Sequence, residues 1–489
     1  MRDFDVAIVG AGPAGLFAAL ELAGKARVAL IDKGLRASQR RCPLIESELK
    51  RNLTPVRCVR CSPCHVMYGV GGAGALSSGT INLRPDVGGD LHKLLGSWSK
   101  AEELVKYVDS TFVRFGAPKD RLYVGNAEAL AELERLAARA GAKFIPTPQR
   151  HIGSDNTVKV IENITNYLEG KGVKVITGTE VVDVIKSRNV FKLRTTAGEL
   201  TAKYVILAPG RGGASWFANL AKARGIEVEP GPLDIGVRVE VPSYVMEPVT
   251  RVVRDPKIVL YTKVYDDKVR TFCCNPNGFV VQERYWDGFV GVNGESYASI
   301  RSRNTNFALL VTIKLTNPLE DTIAYGKGVA LLTSKLGGGR PLIQRLGDLE
   351  AGRRSTWDRV MRSSIEPTLK DVTPGDIGMA LPHRITANVL EALERLDSMI
   401  PGIASPQTLL YAPEIKFYSV RAKVTRELET SVENLFVAGD GAGLSRGINV
   451  AAATGIVASR AILARLGAEV TQRGDRASTT IAVLPHGGS

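Results

Sequence analysis

The chain has 489 residues, of which 44% are hydrophobic and 50 are glycines, and this composition predicts a turn-rich α/β protein of two or three structural units. It contains no run of roughly 18 consecutive apolar residues, so no membrane span is expected. The formal net charge is +14, but the charged residues are scattered, which argues against nucleic-acid binding. Met1 lies close to the first predicted strand, which leaves no room for a signal or transit peptide and predicts a cytoplasmic protein.

The first part of the chain has the pattern of a dinucleotide-binding fold. A glycine-rich turn and a helix stand between two apolar strands, in the order strand 4–9, Gly-x-Gly-x-x-Gly at 10–15, helix 16–23 and strand 28–31. Gly10 permits a tight turn, Gly12 lets a pyrophosphate approach the backbone, and Gly15 lets the helix pack closely on the strand. Asp32 follows the second strand, where it can accept hydrogen bonds from a ribose. The predicted cofactor contacts of this unit are Gly10, Gly12, Pro13, Ala14, Gly15, Asp32 and Lys33.

From here to residue 213 the chain alternates irregular, helical and strand-like segments. Residues 36–90 are irregular and rich in Arg, Cys and Gly, and they open an excursion that continues to about residue 150. Helices are predicted within 98–143, most clearly over 127–140, and from Asp155 or Asn156 to Gly170. Strands are predicted at 173–176, 180–185, 190–195 and 200–207. The last strand enters Pro209-Gly210, a turn that we predict returns the chain to the dinucleotide-binding domain.

From 214 to 412 the pattern changes to short strand-like runs, which predicts an inserted, β-rich α+β substrate domain. Strands are predicted at 235–241, 258–264, 271–274 and 279–283, and a helix near 386–397. Residues 413–470 are predicted to complete the first domain with a buried strand at 435–438 and an apolar helix at 450–466, and 471–489 is predicted to be a tail. The predicted fold class is therefore α/β, a Rossmann-like domain interrupted by a substrate domain.

The C-terminal segment favours FAD over NAD as the cofactor. A predicted strand ends at Gly439-Asp440, where the aspartate can reach the ribityl or phosphate region of FAD. Gly447, Ile448 and Asn449 open the following helix, whose N-terminal dipole would stabilise negative charge at the N1–C2=O edge of reduced flavin. An ordinary β-turn-α connection is the alternative interpretation.

A second glycine-rich stretch lies at 69–74. It follows a cysteine-rich loop rather than a strand, and no acidic residue stands at the distance expected of a second nucleotide-binding unit. We therefore predict a loop that lies against the flavin or its pyrophosphate, with a phosphate contact from Arg40 or Arg41, and no separate NAD(P)H domain. The further predicted cofactor contacts are Arg40, Arg41, Gly71, Gly72, Ala73, Gly74, Val182, Pro209, Gly210, Gly439, Asp440, Gly447, Ile448 and Asn449.

Four of the six cysteines lie close together in the sequence. Cys58, Cys61 and Cys64 have C-x2-C-x2-C spacing, and Cys42, followed by Pro43, lies upstream. This arrangement is typical of residues that hold a bacterial-type [4Fe–4S] cluster, where a distant Cys-Pro supplies the fourth ligand. Zinc would need the same four thiolates in a tetrahedron. Metal-free thiols, either reduced or exchanging electrons with the flavin, are the third interpretation, and the sequence leaves all three open.

Sequence segments typical of one known family occur along nearly the whole chain. They are 41–43, 61–64, 69–79, 151–155, 234–238, 270–274, 305–310, 413–419 and 439–447. Together they resemble the uncharacterised FAD-dependent dehydrogenases, in the larger group that includes fumarate reductase flavoproteins and geranylgeranyl reductases. The resemblance implies a glutathione-reductase-like FAD domain with an inserted domain, and FAD as cofactor, but no substrate. Leu76-Ser-Ser78 departs from the Phe-Ser-Asp type of sequence expected there, so a role for that aspartate is not carried over.

The sequence marks no single residue strongly as catalytic. The predicted catalytic residues are Arg301, Arg303, His383 and Tyr418. The planar fork of arginine binds carboxylate or phosphate bidentately, so the two arginines suit an anionic substrate. Further candidates are Asn306, Tyr411, Lys416, Arg421 and Arg446.

The sequence favours an FAD-dependent oxidoreductase that acts on an unidentified small molecule by hydride transfer at flavin N5. Its electrons would pass to a non-NAD acceptor such as a quinone or an electron-transfer protein. Two alternatives stay open. One is a flavin-dependent RNA-modifying enzyme, suggested by the positive charge, and the other is a non-catalytic flavin-bound regulator.

Overall fold

The fold is known from a computed structural model that describes residues 3–49, 57–231, 233–285, 288–313, 322–417 and 420–479. The strands are β1 (Phe4–Val9), β2 (Val28–Ile31), β3 (Thr80–Asn82), β4 (Leu122–Tyr123), β5 (Ala142–Phe144), β6 (Gln149–His151), β7 (Lys174–Ile176), β8 (Val181–Ser187), β9 (Val190–Thr195), β10 (Gly198–Leu207), β11 (Val228–Glu229), β12 (Leu233–Pro242), β13 (Ile258–Tyr261), β14 (Lys268–Asn275), β15 (Phe279–Arg284), β16 (Val290–Glu295), β17 (Asn304–Ile313), β18 (Leu342–Arg345), β19 (Thr373–Pro374), β20 (Leu409–Phe417), β21 (Arg421–Ala422) and β22 (Leu435–Val437). The α-helices are α1 (Pro13–Leu22), α2 (Pro43–Leu49), α3 (Leu91–Leu95), α4 (Trp98–Arg114), α5 (Ala127–Arg139), α6 (Ser154–Gly170), α7 (Ala214–Arg224), α8 (Ser243–Thr250), α9 (Thr322–Leu336), α10 (Leu346–Glu350), α11 (Trp357–Met361), α12 (Ile377–Ala380), α13 (His383–Asp397) and α14 (Ile448–Thr479).

The first sheet has a parallel part with strand order β7-β2-β1-β10-β22. β10 also pairs antiparallel with β9, and β9 pairs antiparallel with β8. In register, Ile8 lies between Leu30 and Ile206. The central strands are covered on both faces, which is why they are continuous apolar runs. Helix α1 packs on one face against α14, so the last helix of the chain completes the domain that the first strand begins. The predicted opening unit, hairpin and closing segment are all confirmed.

The second sheet belongs to the inserted domain and has the order β19-β18-β20-β12-β17-β14-β13-β5. Its centre is antiparallel, and β12 pairs with β17 on one side and β20 on the other. Helix α13 packs on this sheet with an apolar face that includes Ile385, Val389 and Leu393. Three of the four strands predicted in this region pair into this sheet, and the fourth, β15, pairs with β16 in a separate hairpin. Because helices pack on the sheet, the predicted β-rich α+β character is confirmed.

The domain boundaries differ from the predicted ones. Strand β20 belongs to the second sheet, so the inserted domain continues to Phe417 and does not end at 412. Helix α7 packs in the first core through Phe217 and Leu220, so the insertion begins at Leu233 and not at 214. Strand β5, which lies in the excursion 36–150, joins the edge of the second sheet. Helix α14 continues to Thr479, beyond the predicted start of the tail at 471.

The hairpin β15–β16 contributes residues to two different cavities. Gln282 and Arg284 of β15 line one, and Asn293 of β16 lines the other. Along β15 the side chains alternate between its two faces. Gln282 and Arg284 face a cavity lined by cysteines, whereas Glu283 between them contacts Arg211 and Asn293 at the other face. One strand therefore separates the cysteine-lined cavity from the site described next.

Candidate functional site

Two cavities lie side by side at the carboxyl ends of β1, β10 and β22 and form one elongated channel. Their empty volumes are about 1190 Å³ and about 660 Å³. The residues common to both walls are Gly12, Gly72, Ala73, Ala208, Gly210 and Arg211. Ligands of open parallel sheets bind at this edge, so the channel is the candidate functional site.

Glycines bring the backbone to the channel wall at positions where a side chain would not fit. A Cβ atom at Gly10 would stand 2.1 Å from the carbonyl oxygen of Ala208, and one at Gly15 would stand 1.9 Å from the carbonyl oxygen of Gly10. Gly72 has a φ of +61°, and a Cβ there would stand 3.1 Å from the Cα of Gly12. A pyrophosphate binds where a helix N-terminus and bare backbone meet in this way, so the cradle fits a dinucleotide cofactor.

The smaller cavity has the side chains expected around the adenosine half of such a cofactor. Both carboxylate oxygens of Asp32 accept backbone hydrogen bonds, from the N–H of Ala11 at 2.9 Å and of Gly34 at 2.8 Å. These bonds hold the carboxylate at the wall, where a ribose can also donate to it. The Lys33 ammonium lies 4.0 Å from the centre of the Tyr68 ring, and burial lowers its pKa. Both side chains line the cavity.

The larger cavity is closed by the C-terminal segment. Gly439, with a φ of +76°, and Asp440 line it where β22 ends. Ser445 donates a hydrogen bond to Oδ1 of Asp440, and burial raises the pKa of that carboxyl group. Gly447 and Ile448 line the same cavity at the beginning of α14. The positive end of the helix dipole therefore lies at the cavity wall, as predicted.

Arg40 has a structural position instead of a phosphate-facing one. Its guanidinium is buried and donates to backbone carbonyl oxygens at 2.8–3.1 Å, those of His65, Val66, Val70 and Gly72. Burial lowers its pKa to about 10. Because these bonds use the guanidinium to hold loop 65–72, Arg40 shapes the glycine loop and leaves the phosphate contact to backbone groups.

Five other predicted cofactor contacts also lie outside the channel walls, and one of them, Gly15, packs against the carbonyl oxygen of Gly10. Arg41 lines the cysteine cavity. Val182 is exposed, and it is the neighbouring Val181 that lines the channel. The remaining two are Gly71 and Asn449. The Gly71 N–H donates a hydrogen bond to the carbonyl oxygen of Ala11, and the Asn449 side-chain amide donates one to the carbonyl oxygen of Asn82.

The inserted domain supplies the other wall of the larger cavity. Its contributions are Asp255, Lys257, Phe272, Cys273, Asn293 and Lys416, and the first domain adds Arg211 and Arg446. Cys273 has a φ of +50° where the register of β14 with β17 shifts, so a bulge presents this part of the strand to the cavity. Of the lining residues that the sequence did not predict, Arg211 has the clearest signal, since it directly follows the turn Pro209-Gly210.

A buried ion cluster stands behind this wall. Glu414 accepts hydrogen bonds from Nε and Nη2 of Arg238 at 2.8 and 3.0 Å, and its Oε1 lies 2.7 Å from Nζ of Lys416. Burial alone raises the pKa of Glu414, but the two cations outweigh it and lower the pKa to about 2. One carboxylate is thus shared by two cations, which leaves an excess of positive charge at the cavity.

Two other cations of the wall each pair with a carboxylate. Arg211 lies 3.3 Å from Oε1 of Glu283, which also accepts a hydrogen bond from Asn293 at 2.7 Å. Burial alone lowers the pKa of Arg211, but Glu283 outweighs it and the pKa lies above its ordinary value. Lys257 forms an ion pair with Asp255. A further carboxylate of the cavity, Asp440, is close enough to feel the charges of Arg211, Arg446 and Lys416.

The predicted catalytic residues do not converge on the channel. Arg301, Arg303 and His383 are exposed, and none of them lines the larger cavity. Arg301 and Arg303 lie in the loop before β17, and His383 is the first residue of α13. Tyr418 lies outside the described residues. The candidate that the structure does bring to the cavity is Lys416.

The four clustered cysteines line a cavity of their own, with an empty volume of about 400 Å³. Cys42, Cys58, Cys61 and Cys64 all contribute to its wall. Within the described residues, no group of three or more His, Cys, Asp or Glu side chains is spaced to hold a single metal ion. The structure therefore gives no support to the zinc interpretation.

A parallel sheet, a glycine cradle at a helix N-terminus, and a second helix at the far cavity define a flavin-binding dinucleotide fold. A family model described as FAD dependent oxidoreductase matches residues 5–304. Models described as FAD-dependent protein, C-terminal domain-like, and Glucose inhibited division protein A match 232–416 and 383–469. The chain belongs to the FAD-dependent oxidoreductase family; it is an oxidoreductase enzyme, and its cofactor is FAD.

Individual proteins similar to this chain are distant. An uncharacterized protein of Clostridium beijerinckii is 24% identical over 480 residues, which cover 93% of this chain and 80% of that protein. Glycine oxidase from Geobacillus kaustophilus is 16% identical, with a TM-score of 0.36 and 95% of each chain covered. L-proline dehydrogenase from P. horikoshii is 11% identical, with a TM-score of 0.41, and the match covers 94% of this chain and 93% of that one.

One helix in the described part of the chain, Ile448–Gly467, is long and apolar enough to cross a membrane by length and composition. Of this segment, 61% is buried inside the protein, where it packs on α1. A core helix of a folded domain has the same composition, so its apolar character is explained by the packing.

Proposed function

We propose that this enzyme transfers a hydride between a small anionic substrate and the N5 position of FAD, and that its electrons pass to an acceptor other than NAD. When bound, FAD supplies the hydride and electron chemistry. The protein contributes the glycine cradle that would hold the cofactor, and the wall of the inserted domain that would bind the substrate with its positively charged side chains. The observation that carries the proposal is the excess positive charge around Glu414 in a wall that faces the predicted flavin position.

The cavity wall supports an anionic substrate. Lys416 lines the cavity, its side chain is only 6% exposed, and the single carboxylate beside it already accepts two hydrogen bonds from Arg238. A buried cation without a full counter-charge attracts a negative ligand. A carboxylate or phosphate of the substrate would supply that charge.

The same wall supplies groups that hold protons and exclude water. The Nζ atoms of Lys257 and Lys416 each lie against a buried carboxylate, and both side chains are largely buried. Phe272 covers part of the cavity with an apolar ring. Burial of this kind strengthens charge interactions within a cavity, so these groups are suited to position a substrate and to exchange a proton with it.

The electron acceptor is proposed from the organisation of the chain. The glycine-rich stretch at 69–74 forms a 3-10 turn that lines the FAD channel, and it is not part of a second strand-helix unit. The only complete dinucleotide fingerprint in the described part of the chain is thus the one that we assign to FAD. A quinone or an electron-transfer protein remains the proposed type of acceptor.

The test is anaerobic reduction of the FAD-loaded enzyme, followed by flavin absorbance. A panel of small carboxylates and matched neutral esters or amides is compared with NADH and NADPH. We expect bleaching by a carboxylate and no bleaching by its neutral counterpart or by either nicotinamide. Rapid reduction by NADH or NADPH would contradict the proposed acceptor, and equal rates with charged and neutral substrates would contradict the anionic substrate.

A further inference from the structure

The cysteine cavity has no part in the function proposed above, yet four cysteines converge on it. Cys58, Cys61 and Cys64 come from one loop, and Cys42 comes from the residue before α2. The other two cysteines of the chain, Cys273 and Cys274, lie in β14, outside this cavity. Thiols that only filled a core would be spread through it, whereas these four face one enclosed space.

Two of the sulfur atoms are surrounded by hydrogen-bond donors. The backbone N–H groups of Leu44 and Ile45 lie near the sulfur of Cys42 and favour its ionised form, against the burial that favours the neutral thiol. The backbone N–H groups of Val66, Met67 and Arg284 have the same position around the sulfur of Cys64, which is also buried. A thiol is a weak acceptor, and several N–H groups directed at one sulfur are what stabilises a metal-bound thiolate.

The cations around the cavity also favour a bound metal cluster. Arg41 and Arg284 both line it, next to Cys42 and Cys64. A cluster held by four thiolates is anionic, and arginines at its edge offset that charge. The buried guanidinium of Arg40 is a third cation near Cys64.

A four-iron cluster and a single ion place different demands on the four sulfur atoms. A single tetrahedral ion needs its ligands close together, and no group of three or more such side chains in the described residues meets that need. In a four-iron cluster each cysteine binds a different iron atom at a different corner, so the ligands surround a central volume. The four cysteines line one cavity with an empty volume of about 400 Å³, which offers such a volume.

We propose that Cys42, Cys58, Cys61 and Cys64 hold a [4Fe–4S] cluster. Each thiol that binds iron releases its proton, and iron and inorganic sulfide fill the cavity. The cluster lies across β15 from the larger FAD cavity, since Gln282 and Arg284 face the cysteines while Glu283 faces Arg211. This site is independent of the proposed substrate and acceptor.

The test begins with the unaltered chain, purified without oxygen. Iron, acid-labile sulfide, zinc and FAD are measured per chain, before and after incubation with ferrous iron and sulfide under reducing conditions. We expect about four irons and four sulfides per chain, a broad visible absorbance beyond that of FAD, and an electron paramagnetic resonance signal after dithionite reduction. FAD is counted separately, so failure of the cluster and failure of the FAD function are distinguishable.

Variants locate the cluster. We expect C61A and C64A to reduce the iron content at least tenfold while FAD per chain is unchanged. C274A is the matched control, because it removes a thiol outside the cavity, and we expect it to keep its iron.

Three results would overturn the proposal. They are no iron in the unaltered chain even after incubation with iron and sulfide, zinc without labile sulfide, or equal loss of iron in C274A and C61A. The first two results are measured on the unaltered chain. The proposal can therefore be overturned even if a variant fails to fold.

Discussion

The first domain and the inserted domain each form one wall of the larger cavity, and the two walls differ in the groups that they expose. The first domain presents backbone, because Gly10, Gly12 and Gly72 leave no side chain between the main chain and the cofactor. The inserted domain presents charged side chains, chiefly Lys257 and Lys416, each set against a buried carboxylate. A backbone wall suits a cofactor that many proteins share, whereas a side-chain wall can be varied to select one substrate.

The difference also decides what each wall tolerates. Adding one carbon atom at Gly10 or Gly15 creates a clash with backbone that cannot move aside. Changing Lys416 leaves the Arg238–Glu414 pair in place, so it alters charge and keeps the fold. The following variants test this contrast, from the largest expected effect to the smallest.

The largest effect is expected from Gly15→Val. A Cβ at this position would stand 1.9 Å from the carbonyl oxygen of Gly10, so α1 cannot pack on β1 and the cradle is lost. We expect less than about one tenth of the normal FAD per chain, measured by absorbance, together with a lower Tm. Gly170→Ala is the control, because a Cβ there meets nothing within 4 Å and should leave both values unchanged. Full FAD occupancy in G15V would show that the backbone wall is not essential.

Glu414→Gln should have the next largest effect, on stability. The substitution leaves Arg238 and Lys416 buried without their shared carboxylate, and a broken buried ion pair costs about 3–5 kcal/mol. Urea unfolding at pH 7 measures this loss, and E433Q, which removes an exposed carboxylate, should change it by less than about 1 kcal/mol.

The same carboxylate gives a pH dependence with a definite sign. The pKa of Glu414 is lowered from 4.5 to about 2, so its contribution to stability is present above pH 4.5 and is lost as the pH falls toward 2. E414Q should lack that part of the acid dependence. An unfolding profile between pH 2 and 5 that is the same in both proteins would contradict the ion cluster.

Lys416→Met should change binding more than stability. It removes the excess cation and leaves Arg238 paired with Glu414, so we expect small carboxylates to bind the FAD-loaded enzyme about tenfold more weakly, or about 1.4 kcal/mol. The measurement is titration of the flavin absorbance. Lys423→Met is the matched control, since it removes an exposed lysine of the first domain. Equal weakening in both variants would show that the overall charge, and not the cavity wall, attracts the anion.

The effect of Glu295→Gln is expected in the pH dependence of stability. Burial raises the pKa of Glu295 from 4.5 to about 8, so the unfolded chain loses this proton at lower pH than the folded one does. The free energy of unfolding therefore falls as the pH rises from 4.5 to 8, and this fall should be smaller in E295Q than in the unaltered protein. Tm measured across that range, with the exposed Glu134→Gln as control, tests this expectation. A wild-type profile that rises over the same range would contradict it.

The contrast between the two walls also explains what the sequence could predict. The cradle is encoded in short runs, so Gly10, Gly15, Asp32 and Gly439 could be placed from spacing alone, and the strands around them follow from unbroken apolar runs. The opposite wall joins residues more than a hundred positions apart, such as Lys257 and Lys416, which only sheet pairing brings together.

Two wrong expectations have clear physical reasons. The basic character of Arg40 suggested a phosphate contact, but its surroundings are backbone carbonyl oxygens that no sequence pattern marks. The planar guanidinium groups of Arg301 and Arg303 suggested that they bind an anionic substrate. The loop before β17 instead turns them toward solvent.

The position of α14 has a consequence for the order in which the protein is made. The chain is synthesised from its N-terminus, and β1, β2 and α1 leave the ribosome first. The inserted domain is complete once Phe417 has emerged, but the first domain still lacks β22 and the helix that covers α1. The walls contributed by Gly439 and Ile448 do not exist until then. Loading of FAD therefore requires that α14 has been synthesised, and the face of α1 that packs on α14 is uncovered until then.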